Sequence, residues 1–229
     1  MTVKVIAIDG PSASGKSTVA RRVAAELGYL YVDSGAVYRG ITWYAVRHGL
    51  NEKNLDRLDA LLVKFPIEFF VQDGAVRFKI EGVDPAAELR SETVNGLVSA
   101  VAALGTVRGL VTGWLRGMLA YGPLVMEGRD IGTVVFPDAE AKFYLDADMQ
   151  ERARRRYREI SGSSLRTGYD AVTRSIAKRD TLDSSREIAP LRVAADAVRI
   201  DTTNMTVDEV VTEILRRVKS SAPGDPQRN

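Results

Sequence analysis

The stretch Gly10-Pro11-Ser12-Ala13-Ser14-Gly15-Lys16-Ser17 constrains this chain more than any other. It follows an apolar run, Val3 to Ile8, that reads as a buried strand. It opens a segment from Thr18 to Leu27 with helical spacing and Gly28 just past its end. This is G-x-x-x-x-G-K-[ST] between a strand and a helix, the setting in which the pattern has physical meaning. Glycine permits a tight turn, so successive backbone N–H groups and the helix N-terminus converge on one point, and the natural guest is a phosphate. In such a loop Lys16 reaches the β- and γ-phosphates and the Ser17 hydroxyl is a ligand for Mg2+. A glycine-rich turn capping an ordinary helix is the rival reading, and two correct flanks weigh against it.

The 229 residues, 45% of them apolar, suit one large domain or one domain carrying an insertion. A formal charge of +2 gives no global field for coating nucleic acid or a membrane surface. There are 24 Arg against 8 Lys, a ratio that either phosphate-gripping forks or a GC-rich coding bias produces. With no cysteine, disulfides and thiolate metal sites are excluded, which fits a reducing compartment. The single histidine, His48, stands near the end of a helical stretch just before Gly49, where a C-terminal cap is the expected role. The sequence passes from Met1 into a strand without a signal peptide, and no apolar run approaches the roughly 18 residues of a membrane span. A soluble, cytoplasmic protein without nucleic-acid or membrane partners, and a monomer, is expected.

Along the chain, strands are expected at Tyr29–Val32, Leu124–Met126, Lys142–Leu145 and Ala197–Ile200 besides the first, separated by helical patterns. Leu55, Leu58, Leu61, Leu62 and Phe65 predict an amphipathic helix over Asn51–Lys64, stopped by Pro66. Asp73-Gly74 divides two alternating runs between Ile67 and Ile80, a strong hairpin signal. A hairpin is out of step with strand–helix alternation, so residues 62–90 read as an arm inserted beyond the main sheet. Residues 161–168 read as a flexible loop. Thr206 and Glu209 form a capping box for a final helix, Val207–Lys219, and the tail 220–229 has no apolar face. The expected fold is α/β, a five-stranded parallel sheet flanked by helices, with ligands beyond the carboxyl ends of its strands.

Four polar clusters fall at or after those ends. Asp33-Ser34-Gly35-Ala36-Val37-Tyr38-Arg39 puts a guanidinium one turn into a helix, and Glu127-Gly128-Arg129-Asp130-Ile131-Gly132-Thr133 crowds both charge signs between glycines. The run Glu151 to Arg158 holds five arginines, of which Arg152, Arg155 and Arg156 share a face while Arg154 and Arg158 share another. A wet helix face and a lid closing on a triphosphate compete to explain it. Arg179, Asp183 and Arg186 recur at helical intervals, where a structural ion-pair ladder is the alternative.

Taken together, these motifs resemble the bacterial cytidylate kinase family, a branch of the P-loop nucleoside monophosphate kinases. The resemblance is carried by Ile8 through Ser17, Asp33 through Arg39, Glu127 through Pro137, Arg179-Asp180, Asp183, Arg186 and Ala189-Pro190-Leu191, and it spans residues 3 to about 219. Ile131 stands where the family often has Met. The resemblance implies a P-loop nucleoside monophosphate kinase fold with a core (about 1–35, 106–148 and 189–219), a monophosphate-binding region holding the hairpin arm (about 36–105), and a short lid (about 149–188). It implies ATP on Gly10, Pro11, Ser12, Ala13, Ser14, Gly15, Lys16, Ser17 and Thr18, with Arg155 beside it and Mg2+ on Ser17. For CMP or dCMP it implies Arg39 and Arg129 on the acceptor phosphate, with Ser34 nearby. Ser99, Arg108 and Asp130 are then on the base, and Arg179, Asp183 and Arg186 around the ribose and phosphates. Lys16, Arg129, Arg179 and Arg186 carry the transfer itself.

The chemistry is consistent with that assignment. Cytosine offers an amino donor at N4 and acceptors at N3 and O2, so a carboxylate at Asp130 and a guanidinium at Arg108 complement it, whereas uracil mismatches both. The acceptor phosphate is largely dianionic near neutrality and needs no catalytic base, so one histidine suffices. Rival expectations are a P-loop kinase for UMP or a shikimate-like metabolite, and a nucleotide-dependent RNA-binding regulator.

Overall fold

The computed structural model describes residues 4–161 and 168–221. Its strands are β1 (Val5–Asp9), β2 (Leu30–Asp33), β3 (Ile67–Gln72), β4 (Ala75–Ile80), β5 (Leu124–Gly128), β6 (Ala141–Asp146) and β7 (Val198–Asp201). They form one sheet in the spatial order β3-β4-β2-β5-β1-β6-β7. The five strands from β2 to β7 run parallel. Every residue of β1 and β5 is buried, as expected where helices cover both faces of a parallel sheet.

Alternation along β1 divides the core. Ile6 and Ile8 face α1 (Lys16–Leu27) and α8 (Val207–Ser221), packing with Val19, Val23, Val210 and Ile214. Ala7 points the other way, into a larger cluster with α2 (Ser34–Arg47), α4 (Glu92–Val101) and α5 (Gly105–Gly117). The register sets Asp9 level with Gly128 and Asp33 level with Glu127, so the chain leaves β1, β2 and β5 along one edge of the sheet.

The hairpin departs from expectation in where it docks. Asp73 and Gly74 both take positive φ, 50° and 68°, at a two-residue turn, as the Asp-Gly signal requires. The hairpin is no arm beyond the sheet, however, because β4 lies parallel to β2 at Tyr31↔Ala75, with the Tyr31 N–H donating to Gly74 O at 2.9 Å. The sheet therefore has seven strands, not five. Left bare, β2 would present an open edge, and the hairpin covers it. Phe78 and Ile80 press on α2 at Gly40, where a Cβ would lie 2.7 Å from the Phe78 ring.

The helix expected over 51–64 is another departure. Only a tight turn at Leu55–Arg57 and a short α3 (Leu58–Leu62) form, and Leu58 alone of these is buried. Asn51 and Asn54 use their side chains on local backbone, Asn54 accepting from Asn51 N–H at 2.6 Å, which competes with helix continuation. The capping signals were sound. Asp33 caps α2 through Ala36 N–H at 2.9 Å, and Thr206 and Glu209 bond reciprocally at the start of α8. His48 ends α2, its Nδ1 2.9 Å from Tyr44 O. The loop expected at 161–168 and the tail expected after 220 fall largely outside the described residues. Among the described residues no single helix is long and apolar enough to cross a membrane.

Gly10 shows how tightly the first loop is seated. It has φ 156°, and a Cβ there would lie 2.1 Å from the Leu145 carbonyl oxygen of β6. That clash is with backbone and has no cheap relief, so Gly10→Ala is expected to destabilise by about 1–3 kcal/mol, a fall in Tm of roughly 3–10 °C. Thermal unfolding followed by circular dichroism checks this, and an unchanged Tm would show the loop to be pliable.

Candidate active site

A cavity of about 440 Å3 opens above the carboxyl ends of β1, β2 and β5. Its first wall is the loop from Gly10 to Ser17. Ala13 (φ 60°) and Gly15 (φ 88°) turn the backbone there, and Gly15 occupies the N-cap position of α1. Lys16 folds over the loop and donates from Nζ to Pro11 O at 2.9 Å. Burial, reinforced by Arg129 and by Arg179, pulls its pKa down to about 7 against the attraction of Glu127. Ser17 Oγ donates to Glu127 Oε1 at 2.6 Å, and Tyr31 OH approaches the same oxygen at 3.4 Å. The Glu127 carboxyl is pushed upward, first by burial and then by Asp33. Sequence reasoning placed Glu127 in a motif but gave it no role, since nothing local reveals that β5 lies level with the start of α1.

The arginines of α6 (Met149–Ser161) do not share one task. Arg152 is a brace. It donates to Ala147 O at 3.0 Å and Ser12 O at 3.1 Å, and it pairs with Asp180 of α7 (Tyr169–Ser185). Asp180 in turn accepts from Ser12 N–H at 3.0 Å. Arg155 lies beside the loop, donating to Thr202 O at 2.6 Å and Ser14 O at 3.4 Å. Arg156 lines the cavity and pairs with Glu159 at 2.9 Å, whereas Arg154 and Arg158 face solvent.

The second wall gathers four guanidinium groups from three parts of the chain. Arg39 of α2 lies over Gly35, where a Cβ would sit 2.8 Å from its Nη1. Arg129 leaves β5 and donates from Nε to Asp183 Oδ2 at 2.8 Å. Arg186 Nη1 is 3.8 Å from Asp183 Oδ1. Arg179 completes the group on α7. Burial opposes charge on both members of the Arg129–Asp183 pair. The pair wins, holding Arg129 above and Asp183 below its ordinary pKa. The other three have no carboxylate as close, Arg186 being 3.8 Å from Asp183. Burial pulls down Arg39 and Arg186, and with the help of Arg39 and Arg129 it brings Arg179 to about 10. Among the described residues, Nε of Arg39, Arg179 and Arg186 and Nη2 of Arg186 are buried without a hydrogen-bond partner. A cluster of buried guanidinium groups with unpaired N–H atoms is the kind of arrangement that an anionic ligand complements.

The third wall is the most enclosed. Arg108 of α5 and Asp130 pair directly, both only 3% exposed, and Arg108 also donates to Ala102 O at 3.0 Å. Ser99 of α4 lines the same end. Tyr38 was not singled out from the sequence. Its ring centroid lies 5.3 Å from the Arg108 guanidinium, and its buried hydroxyl has no partner. Ser34 lines the cavity while donating to Glu127 O at 2.7 Å. Arg90, also unforeseen, reaches the rim 3.5 Å from Asp33. Among the described residues no group of three or more carboxylates or histidines could hold a metal by itself.

Comparison with known proteins agrees with this geometry. Residues 6–220 match the family model described as Cytidylate kinase. A cytidylate kinase of Bacillus pumilus (strain SAFR-032) is 44% identical over 210 residues, covering 92% of this chain and 93% of that protein. A bifunctional pantoate ligase/cytidylate kinase of Synechococcus sp. (strain RCC307) is 44% identical over 221 residues, 96% of this chain but 43% of that longer protein. Among solved structures, a shikimate kinase from Acinetobacter baumannii in complex with shikimate aligns over 97% of both chains with a TM-score of 0.50 and 17% identity, a likeness of fold.

Proposed function

The chain belongs to the cytidylate kinase family, and from that premise we propose that it transfers the γ-phosphoryl group of ATP to CMP or dCMP, giving ADP and the cytidine diphosphate. One observation carries the assignment to this cavity: a buried guanidinium–carboxylate pair, Arg108 and Asp130, closes the end of a space lined by Arg39, Arg129, Arg179 and Arg186. A small anionic metabolite has no use for such a pair. A pyrimidine with an amino group opposite the carboxylate and ring acceptors opposite the guanidinium does.

In this reading ATP lies with its phosphates on the loop from Gly10 to Thr18, Arg155 flanking it, and CMP lies with its phosphate on Arg39 and Arg129 beside Ser34. Ser99, Arg108 and Asp130 read the base, and Asp183 accepts from a ribose hydroxyl. The acceptor phosphate, with a second pKa of about 6, is already the nucleophile at neutral pH. What remains is repulsion between two anions and charge growing on the transferring group. Lys16, Arg129, Arg179 and Arg186 are preorganised against both.

Mg2+ fits the residues present. Ser17 and Glu127 are hard oxygen donors already in contact, of the kind that share such an ion with phosphates and water. Held there by Ser17 and Glu127, the ion would offset the negative charge of the donor phosphates. Closing the lid over the cavity would keep water from the donor.

An ADP-coupled assay across CMP, dCMP, UMP, AMP and GMP tests the reading. CMP is expected to be preferred, and Asp130→Asn is expected to lower kcat/KM for CMP by about 10- to 100-fold, the loss of one charge-assisted hydrogen bond. Preference for another monophosphate by about a hundredfold would overturn the assignment.

A further inference from the structure

Asp9, the last residue of β1, is 4% exposed and does not line the cavity, although it leads into the loop that does. Its two carboxylate oxygens accept from the backbone N–H groups of Ile131 and Gly132, each at 2.8 Å. Those N–H groups open a single wide helical turn, Ile131–Val135, in which Phe136 N–H reaches back to Ile131 O at 2.7 Å and Val135 N–H to Asp130 O at 3.1 Å. The first N–H groups of any helical turn lack partners within the turn, and the residue at the N-cap commonly supplies one from its own side chain, aspartate among the most favoured.

Here the N-cap residue is Asp130, and its side chain makes no such bond. It points to Arg108 instead. Asp9 does the capping from a different strand. The arrangement holds even though burial, and secondarily the nearby Asp130, pushes the Asp9 carboxyl up to about 6, because both backbone donors favour the ionised form.

We infer that Asp9 is a positioning residue for base selection: by capping the Ile131–Val135 turn in place of Asp130, it frees the Asp130 carboxylate to pair with Arg108 and read the pyrimidine. The inference rests on the cytidine monophosphate reading of the same cavity. Its chemical content is a competition. Both groups facing Asp9 are donors, so a carboxylate satisfies two and an amide only one. With Asp9→Asn, one buried N–H loses its acceptor and an amide NH2 is pressed against it. Asp130 is the nearest carboxylate able to swing back as cap, and Arg108 then loses the partner that orients it.

The test is steady-state kinetics of Asp9→Asn with CMP and UMP, alongside the dissociation constant for an ATP analogue. The expected result is a fall of at least tenfold in the CMP-to-UMP ratio of kcat/KM, seen mainly as a higher KM for CMP, with ATP-analogue affinity changed less than threefold. A residue that merely held the first loop in place would instead weaken ATP and both acceptors together and leave the ratio alone. That outcome would overturn the inference. Asp9→Glu, which keeps the carboxylate but shifts it by one methylene from the two N–H groups, is expected to lower the ratio in the same direction by a smaller factor, and it decides the matter if Asp9→Asn does not fold. Failure of the underlying reading looks different, because the unaltered protein would then show no preference for CMP.

Discussion

Replacing Arg129 with alanine is expected to lower kcat by on the order of 10³-fold or more, with saturating ATP and CMP, while the protein keeps its fold. Arg129 follows β5 in the central part of the sheet and lines the cavity, so under the proposed reading its charge meets whatever negative charge accumulates between donor and acceptor. Its position does not depend on the ligand, since Asp183 holds Nε at 2.8 Å before any anion arrives. A charge fixed in advance costs no reorganisation at the moment of transfer, which is why such groups weigh more on rate than on binding. Asp183 keeps Arg186 as a second partner at 3.8 Å, so losing Arg129 does not strand a buried carboxylate. Arg129→Lys is expected to recover little of the loss, because an ammonium cannot keep Asp183 and reach a phosphoryl oxygen with a planar fork. A loss below tenfold in kcat would show that Arg129 serves binding alone.

Lys16→Met is expected to cost about 10²- to 10³-fold in kcat, and it carries a second signature that a merely structural lysine would not produce. In the free protein burial and the neighbouring Arg129 bring the Lys16 pKa from its ordinary 10.5 to about 7, so at pH 8 most molecules hold a neutral amine. Phosphates arriving beside it favour the ammonium, so binding of an ATP analogue at pH 8 should draw a proton from the buffer. Calorimetric titrations in two buffers of different ionisation enthalpy would show this uptake, largest near pH 8 and fading below about pH 6, where Lys16 is already charged. Lys16→Met should abolish it. The same shift has a consequence for folding. Between about pH 7 and 10.5 the unfolded chain holds the Lys16 proton and the folded protein does not. The free protein should therefore gain stability relative to Lys16→Met as pH rises through that window, and bear the full cost of a buried ammonium below it. Proton release on binding, or no change, would refute the placement of Lys16 against the donor phosphates.

The parts of this molecule legible in its sequence are those whose cause is local. The phosphate loop, the Asp73-Gly74 turn and the Thr206–Glu209 box each specify a backbone conformation through residues a few positions apart, and each formed. The hairpin's turn could be read, yet its docking against β2 could not, because that depends on an otherwise open edge and on Gly40 admitting Phe78 across 38 positions of chain. The same divide runs through the cavity. Motifs pointed to Arg39, Arg129 and Asp130 as a group, but the roles of Asp9, Glu127 and Arg152 arise from contacts spanning between 110 and 140 positions. The arginine run on α6 was ambiguous for the same reason. Helical spacing put Arg152 and Arg156 on one face, and only the arrival of Asp180 from α7 makes one a brace and leaves the other at the cavity.

Two nucleotides are proposed to lie end to end in one cavity, one phosphate chain on backbone amides and the other phosphate on guanidinium groups. A crystal structure with a non-hydrolysable ATP analogue and CMP measures this directly. The analogue's phosphates are expected on residues 10–18 and the CMP phosphate within hydrogen-bonding distance of Arg39 and Arg129, with Arg108 and Asp130 on the cytosine edge. Density placing CMP elsewhere, with Arg39, Arg129 and Arg186 all turned into bulk solvent, would contradict it.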